Sequence, residues 1–311
     1  MIRISIIATF INEEKAIGPF LDSVLKQTQK PDEIVLVDGE SDDRTVDIIK
    51  SYMSKLPIKL IIKSGNRSVG RNTAAREAKN DIIACTDIGC ILDKGWLKNI
   101  IQPFEENEKV MVVSGFFKAA PKTFFERVSS TFMLTDHDNI NSDEWLPSSR
   151  SIAYKKEAWQ KAGGYPENMN LNEDTPFALA FKKAGYKFYF AQNAIVYWRP
   201  RPNIKEFFKQ YYSYAKGDGQ GLIHWKNYLA RTIKYLVGIV LIILGFWIYI
   251  FWILAILAFL YYITKRSIRV WRTIPGIKTF FLVTFLILID DIAELFGFWI
   301  GLLKNKLKNR K

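Results

Sequence analysis

Three short stretches place carboxylates where chemistry needs them. DIIACTDIGCILD climbs through apolar residues to Thr86 and Asp87, passes Ile88, Gly89 and Cys90, and resumes. EIVLVDGESDD ends a second apolar run in Asp38, followed by Ser41 and Asp43. LNEDTPFALAF sets Glu173 and Asp174 side by side ahead of a helical pattern. Carboxylates so placed can hydrogen-bond hydroxyl groups, hold hard cations or take a proton from an attacking hydroxyl, the last worth about 10²–10⁴ in rate. Plainer readings stand beside these. Asp38 with Gly39 and Ser41 is turn-forming composition, and Asn172 or Asp174 can cap a helix that opens with Pro176. Arg71 can meet a phosphate with both arms of its guanidinium or merely begin a solvated helix.

The elements that would position these groups alternate along the chain. Residues 3–10 (RISIIATF), 33–38 (EIVLVD), 58–62 and 82–86 are short runs rich in β-branched residues, suited to strands buried on both faces. Between them, 13–27, 44–53 and 68–79 repeat apolar residues at helical spacing, as with Ile17, Phe20, Leu21, Val24 and Leu25. Strand and helix in alternation predict an α/β fold with a parallel sheet and right-handed crossovers. Ligands of such sheets gather at the carboxyl ends of the strands. That singles out Thr9, Asn12, Glu13, Asp38, Ser41, Asp43 and Asp87.

SIIATFINEEKAI, EIVLVDGESDDRTVDII and GRNTAAREAKNDIIACTDIGC resemble the successive nucleotide-binding blocks of family 2 glycosyltransferases, inverting enzymes of the GT-A fold. LNEDTPFALAFKKAGYK resembles the family's acidic catalytic block, and QYYSYAKG a degenerate form of its Q-x-x-R-W-x-x-G block. The resemblance covers roughly residues 1–220. It implies a Rossmann-like GT-A fold and transfer of a sugar from a nucleotide diphosphate with inversion at the anomeric carbon. It implies nucleotide contacts from Thr9, Glu13, Asp38, Arg71 and Asp87, with Asp174 as the base and Glu173 orienting it. Glu13 is also what the first turn of any helix favours.

Departures from the pattern matter. The family ends this strand in Asp-x-Asp, whose second acid helps hold a divalent metal; here that place is Gly89. The expected cofactor is Mg²⁺ or Mn²⁺ held by Asp87 with the diphosphate, or else Arg71, Arg199, Arg201 or Lys216 neutralises the leaving group. In the degenerate block Gln210 is kept, while Ser213 and Tyr214 replace Arg and Trp. Tyr214 can still stack under a sugar. LPSSRSIAYKKEAWQKAGGYPE resembles the strand–helix block that shapes the acceptor side, with Ser148–Ser151 near substrate and Trp159 and Tyr165 in the core. Residues 116–144 show no pattern beyond a polar, aromatic loop.

Composition bounds the rest. The 311 residues carry a net charge of +13, and 49% are hydrophobic, yet the mean hydropathy is near zero. The apolar residues are therefore segregated. Two cysteines, Cys85 and Cys90, suggest a reducing compartment and no disulfide framework. Two histidines, His137 and His224, exclude a His-rich zinc site. No nucleic-acid module is legible, and the basic charge suits an anionic membrane surface. The first residues do not read as a signal peptide, so a cytosolic catalytic domain is expected.

The sequence divides into a catalytic domain over 1–202, amphipathic interfacial helices over 203–235, two membrane helices over 236–263 and 279–303, and a basic tail over 304–311. The run 236–263 is uncharged and, at roughly 1.5 Å per residue, longer than a core of about 30 Å. In the second, Asp290, Asp291 and Glu294 must face protein, water or a partner. These features predict a multi-pass, membrane-anchored glycosyltransferase with the catalytic domain in the cytoplasm and a lipid-linked or membrane-proximal acceptor. Two other classes stay open: another nucleotide-dependent transferase, such as a nucleotidyltransferase, and a non-catalytic membrane scaffold.

Overall fold

A computed structural model describes residues 2–134, 145–169 and 171–308. The chain divides into two units, one of residues 1–120 and 135–199, the other of 121–134 and 200–311.

The first unit is built on eight strands: β1 Ile4–Phe10, β2 Glu33–Asp38, β3 Ile58–Ile62, β4 Ile82–Cys85, β5 Cys90–Leu92, β6 Val112–Ala119, β7 Ile152–Lys155 and β8 Phe188–Trp198. Its helices are α1 Ile17–Leu25, α2 Thr45–Tyr52, α3 Arg67–Glu77, α4 Trp96–Glu106, α6 Lys156–Ala162 and α7 Asp174–Lys183; α5, Phe124–Met133, belongs to the second unit. The sheet order is β3-β2-β1-β4-β7-β6-β8-β5. β3, β2, β1 and β4 are mutually parallel, whereas β7 runs antiparallel to both its neighbours and β5 antiparallel to β8.

The parallel half follows from its composition. In β1, Ile4, Ile6 and Ala8 pack on one face with Phe20, Leu21 and Trp96. Ile7 packs on the other with Ala74, Tyr154 and Phe177. Helices cover both faces, so the strand carries apolar residues on both sides instead of alternating. The stretch after β4 is a tight turn: Cys90 N donates to Asp87 O at 3.0 Å, which starts β5 and leaves Asp87 and Gly89 at the carboxyl end of the parallel strands.

The segment 116–144 departs from the loop reading. β6 extends to Ala119 and α5 follows, its N-cap Thr123 accepting from Glu126 N at 3.1 Å. The part of that loop over 135–144 lies outside the described residues.

The second unit contains α5, α8 Ile204–Gly221, α9 Trp225–Leu244, α10 Ile250–Thr273 and α11 Ile277–Lys308. The expectation of one helix over 236–263 is corrected: the run is shared between α9 and α10, with a break at residues 245–249. Residues 222–235 form no separate helix, since 225–235 are the first half of α9. Both α9 and α10 are long and apolar enough to cross a membrane.

The expected second span falls within α11, whose acids turn inward. Arg266 on α10 meets Asp290 and Asp291, each at 2.8 Å, and Arg231 on α9 pairs with Asp291 at 3.4 Å and with Glu294. Buried acids paired this way face protein, as their cost in hydrocarbon demands. About two turns further along the same stripe, α11 carries Gly297 and Gly301. A Cβ at Gly297 would lie 2.4 Å from Tyr212 O, and one at Gly301 2.2 Å from Lys216 O, both on α8. Small residues four apart let two helix backbones touch.

Gly301→Val should therefore force α8 and α11 apart and cost about 1–3 kcal/mol, as overpacking does. Gly238→Val, with nothing within 4 Å of the new Cβ, should leave the melting temperature of the detergent-solubilised protein nearly unchanged. Equal melting shifts in both variants would refute the close contact.

Candidate active site

The site assembles at the carboxyl end of the sheet around Arg71. α3 delivers this residue because Asn66 caps it, accepting from Val69 N at 3.0 Å, and Gly70 allows close approach to β1. A Cβ at Gly70 would lie 2.0 Å from Thr9 Oγ1. The Arg71 side chain is only 3% exposed. Its Nη2 donates to Asp87 Oδ1 at 2.8 Å. Its Nη1 donates to Glu173 Oε1 at 2.5 Å and to Asp174 Oδ1 at 3.1 Å. The Tyr165 ring lies beneath the guanidinium at 5.2 Å.

Electrostatics follow from this knot. Burial alone would lower the Arg71 pKa, but the charges of Asp174 and Asp87 raise it well above the ordinary value, so the cation is permanent. Burial pushes the Asp87 carboxyl up, yet the charges of Arg71 and Arg150 outweigh it and hold the group below the usual carboxylate range. Burial pushes the neighbouring Cys85 and Cys90 thiols up to about 12 each, which makes them inert.

Asp174 is held on both oxygens. Oδ1 accepts from Ser149 Oγ at 2.7 Å as well as from Arg71; Oδ2 accepts from Ser149 N at 3.1 Å and Ser148 Oγ at 3.2 Å. Ser149 Oγ is in turn 2.8 Å from Tyr165 OH, and Tyr165 stacks on Phe177 of α7 at 3.7 Å between centroids. Asn72 anchors the loop before α7: its Nδ2 donates to Tyr165 O at 2.8 Å and its Oδ1 accepts from Trp159 Nε1 at 3.2 Å. Gly164, at φ +72°, leaves room that a Cβ would take, 2.7 Å from Asn72 Oδ1.

Arg150 completes the floor. Its guanidinium sits 5.0 Å from the Phe117 ring and 5.1 Å from the Trp198 ring, while its backbone O accepts from Thr86 Oγ1 at 2.9 Å. A guanidinium packed on aromatic faces is held in one orientation. It stands beside both Asp87 and Ser148.

The loops after β1 and β2 are laced together. Asp38 accepts from Ser41 N at 3.1 and 3.2 Å and from Ser41 Oγ at 2.5 Å; Ser41 Oγ accepts from Asn12 N at 2.8 Å, and Thr45 Oγ1 from Glu13 N at 2.9 Å. Asp43 Oδ2 accepts from Glu14 N at 3.1 Å.

Residues 5–190 match the family model described as Glycosyl transferase family 2. The chain belongs to this family. It is 26% identical over 243 residues, 72% of this chain and 75% of the relative, to a Methanococcus voltae protein: dolichyl N-acetyl-alpha-D-glucosaminyl phosphate 3-beta-D-2,3-diacetamido-2,3-dideoxy-beta-D-glucuronosyltransferase. Several other curated relatives match over 62–65% of their own length. Solved structures share the fold, among them the following two. The Pyrobaculum calidifontis mannosyltransferase PcManGT, in complex with GDP-Man and Mn²⁺, has a TM-score of 0.60 at 17% identity, covering 99% of this chain and 88% of that one. Staphylococcus aureus TarS, in complex with UDP-GlcNAc, has a TM-score of 0.54 at 22% identity, covering 69% and 66%.

Of the residues singled out from sequence, this family 2 chain brings Arg71, Asp87, Glu173 and Asp174 into one cluster. Thr9, Glu13 and Asp38 line neighbouring strand ends. Arg71 departs from its expected part, because its fork is occupied by carboxylates. Asp38 makes the turn contact that its surroundings suggested. Arg199 is exposed just past β8. Gln210, Tyr214, Arg201 and Lys216 lie in the second unit: Gln210 accepts from Arg201 Nε at 3.2 Å and donates to Tyr214 OH at 2.8 Å, and Lys216 is held below its ordinary pKa by burial and by Lys304. Sequence reading missed Arg150 as a cation beside Asp87; the signal was a lone Arg in PSSRS, with aromatic partners over thirty residues away on each side.

No cluster of three or more His, Cys, Asp or Glu residues suited to a metal occurs among the described residues. Asp87 still offers a hard oxygen donor: its side chain is 32% exposed, Arg71 engages Oδ1, and a Cβ at Gly89 meets nothing within 4 Å. That fits a cation whose other ligands come from substrate phosphates and water.

The lowered Asp87 pKa has a sign. A carboxyl whose folded value lies below its unfolded value of about 3.9 adds stability above that pH, and the gain is lost as pH falls towards the folded value. Wild type should therefore exceed Asp87→Asn in urea midpoint by more at pH 6 than at pH 3. An equal or larger gap at pH 3 would mean that the Arg71–Asp87 pair does not act as described.

Proposed function

We propose that this chain is a membrane-anchored inverting glycosyltransferase that moves a sugar from a nucleoside diphosphate donor to a lipid-linked acceptor in one displacement. The observation that carries the reading is the Arg71 knot. It joins Asp87, at the strand end where a nucleotide would dock, to Asp174, the partly exposed carboxylate of the acidic block.

The residues then divide the work. Thr9, Glu13 and Asp38 border the base and ribose. An acceptor hydroxyl attacks the anomeric carbon from the face opposite the diphosphate and passes its proton to Asp174. The 3.2 Å contact from Ser148 is the longest that Asp174 accepts and the one to yield. Glu173, 4% exposed, takes up charge of Arg71 and so positions Asp174 without meeting substrate. As the bond to the β-phosphate oxygen breaks, its electron pair stays with that oxygen, beside Arg150. A divalent cation such as Mg²⁺ or Mn²⁺ held by Asp87 would supply further charge neutralisation there. Arg201, Gln210, Tyr214 and Lys216 enter no step.

Likeness supports the substrate classes. The name of the M. voltae relative describes transfer to a dolichyl phosphate-linked sugar, which attacks through a hydroxyl and so needs a base. PcManGT and TarS were captured with nucleotide sugars, the former with Mn²⁺. Apolar helices α9 and α10 suit an enzyme that meets a lipid acceptor, and a soluble donor places the catalytic unit on the cytoplasmic side. A nucleotidyltransferase would leave Asp174 without a proton to take.

With a panel of UDP- and GDP-sugars and a polyprenyl-linked sugar, Asp174→Asn should lose about 10²–10⁴ in transfer rate while binding nucleoside diphosphate as wild type does. Undiminished transfer by the variant, release of pyrophosphate, or no turnover by wild type would each overturn the reading. Gly89→Asp, placed in open space, should tighten UDP or GDP binding in Mn²⁺ and not in EDTA; calorimetric affinities that do not change with Mn²⁺ would remove the cation from the proposal.

A further inference from the structure

The two apolar helices have lengths that can be read against their charges. Lys234 Nζ of α9 lies 3.5 Å from the ring centroid of Tyr262 of α10, so these residues mark one level of the pair. At the other end Trp252 Nε1 donates to Ile242 O at 2.9 Å, and a Cβ on Gly245 would fall 1.8 Å from the Trp252 ring. The helices therefore form a closed hairpin. Above the Lys234 level, residues 235–244 rise about 15 Å and residues 250–262 about 20 Å, at roughly 1.5 Å each. The hydrocarbon core is about 30 Å thick.

The tip is built for lipid. Phe246, Trp247 and Tyr249 are 73–76% exposed, and the tip carries no charge. Four of its backbone donors are satisfied without water: the N–H groups of Gly245, Phe246, Trp247 and Ile248 donate to carbonyls of residues 241, 243 and 244. Backbone in hydrocarbon must be satisfied internally, whereas a turn in water has no such need. The limbs are apolar, with large side chains about half exposed from Leu236 to Ile243 on α9 and from Trp252 to Leu260 on α10. At the base the pattern reverses. Arg231 and Arg266 are tied to Asp290, Asp291 and Glu294, Tyr235 and Tyr262 donate to Asp291 at 2.5 Å each, and Lys265 and Arg272 suit anionic headgroups.

Resting on the membrane-anchored reading, we infer that α9 and α10 enter one leaflet as a hairpin, carry the Phe246–Tyr249 tip towards the midplane, and return to the side they left. The occupant of this apolar surface is the acyl region of a lipid bilayer. The anchor grips the membrane without crossing it, and both limb bases face the headgroups of the same leaflet.

Single cysteines at Trp247, Lys226 and Arg272 in the full chain test this, since Cys85 and Cys90 are buried and unreactive. The variants are bound to phosphatidylcholine–phosphatidylglycerol vesicles and separated by flotation. A fluorophore on Trp247→Cys should be quenched most by lipids brominated deep in the acyl chain. The unlabelled variant should resist an impermeant maleimide both outside and sealed inside the vesicles, whereas Lys226→Cys and Arg272→Cys should react from outside. Reaction of Trp247→Cys with the sealed reagent would show a hairpin that crosses, overturning the inference and leaving the anchored reading intact. Failure of wild type to float would overturn both. Flotation without bromolipid quenching, with tip cysteines cross-linked between copies, would assign the tip to a second chain. Trp247→Glu with Ile248→Glu should lower vesicle partitioning by about 100-fold or more, from insertion costs of roughly 2.5–3.5 kcal/mol per charge, without moving the melting temperature; unchanged partitioning would also overturn the inference.

Discussion

The catalytic unit depends on one buried cation with three carboxylates. Arg71 has surrendered nearly all its hydration, and Asp87, Glu173 and Asp174 replace the water lost from Nη1 and Nη2, while Nε has no hydrogen-bond partner among the described residues. The arrangement couples three segments distant in sequence: α3, the end of β4 and the start of α7. Removing the guanidinium would strand three acids together, a far larger penalty than the pairs are worth as stabilising contacts. The knot thus specifies geometry more than it adds stability. It sets the distance between the donor end of the sheet and the residue that would accept a proton.

Much of this was legible in sequence, for a physical reason. β1, β2 and β4 are predominantly apolar and buried because both faces are covered, and runs such as EIVLVD have no competing pattern; β2 and the partly exposed edge strand β3 match their predicted bounds. The second half of the sheet was opaque. β5 is three residues long, β6 ends in a partly exposed stretch, and β8 alternates irregularly across a bulge near Ser114 and Phe116. These strands owe their positions to partners far along the chain. The site divides the same way. Strand-end acids could be placed from local pattern, but the role of Arg71 could not, since a guanidinium at a helix start suits phosphate and carboxylate equally. Ser148 and Ser149 lay in a stretch already linked to substrate; their grip on Asp174 required the fold.

The second unit shows how apolar composition misleads when charge is averaged along it. Residues 236–263 are uncharged and long enough for one crossing, yet Gly245 and the Trp252 ring that fills the space beside it break the run into two limbs. α11 poses the reverse problem. Its three acids looked like an obstacle to membrane placement, and they are the groups that fasten it to α9 and α10 through Arg231 and Arg266. The Gly297 and Gly301 pair, a GFWIG stretch that sequence reading passed over, lets this helix pack closely on α8.

Charge balance gives the lone Asp87 its meaning. Three carboxylates against one guanidinium leave the knot at a formal −2 (−3 + 1), and a nucleoside diphosphate bound as proposed would bring more negative charge to the same place. A second acid at residue 89 would deepen that repulsion unless a metal were bound there throughout. With glycine in its place the site asks less of a metal, and Arg150, oriented by two rings, stands where positive charge is needed. The departure from the paired-acid pattern is thus consistent with a working site: one carboxylate is already committed to Arg71 through Oδ1, and the cationic side is supplied partly by protein.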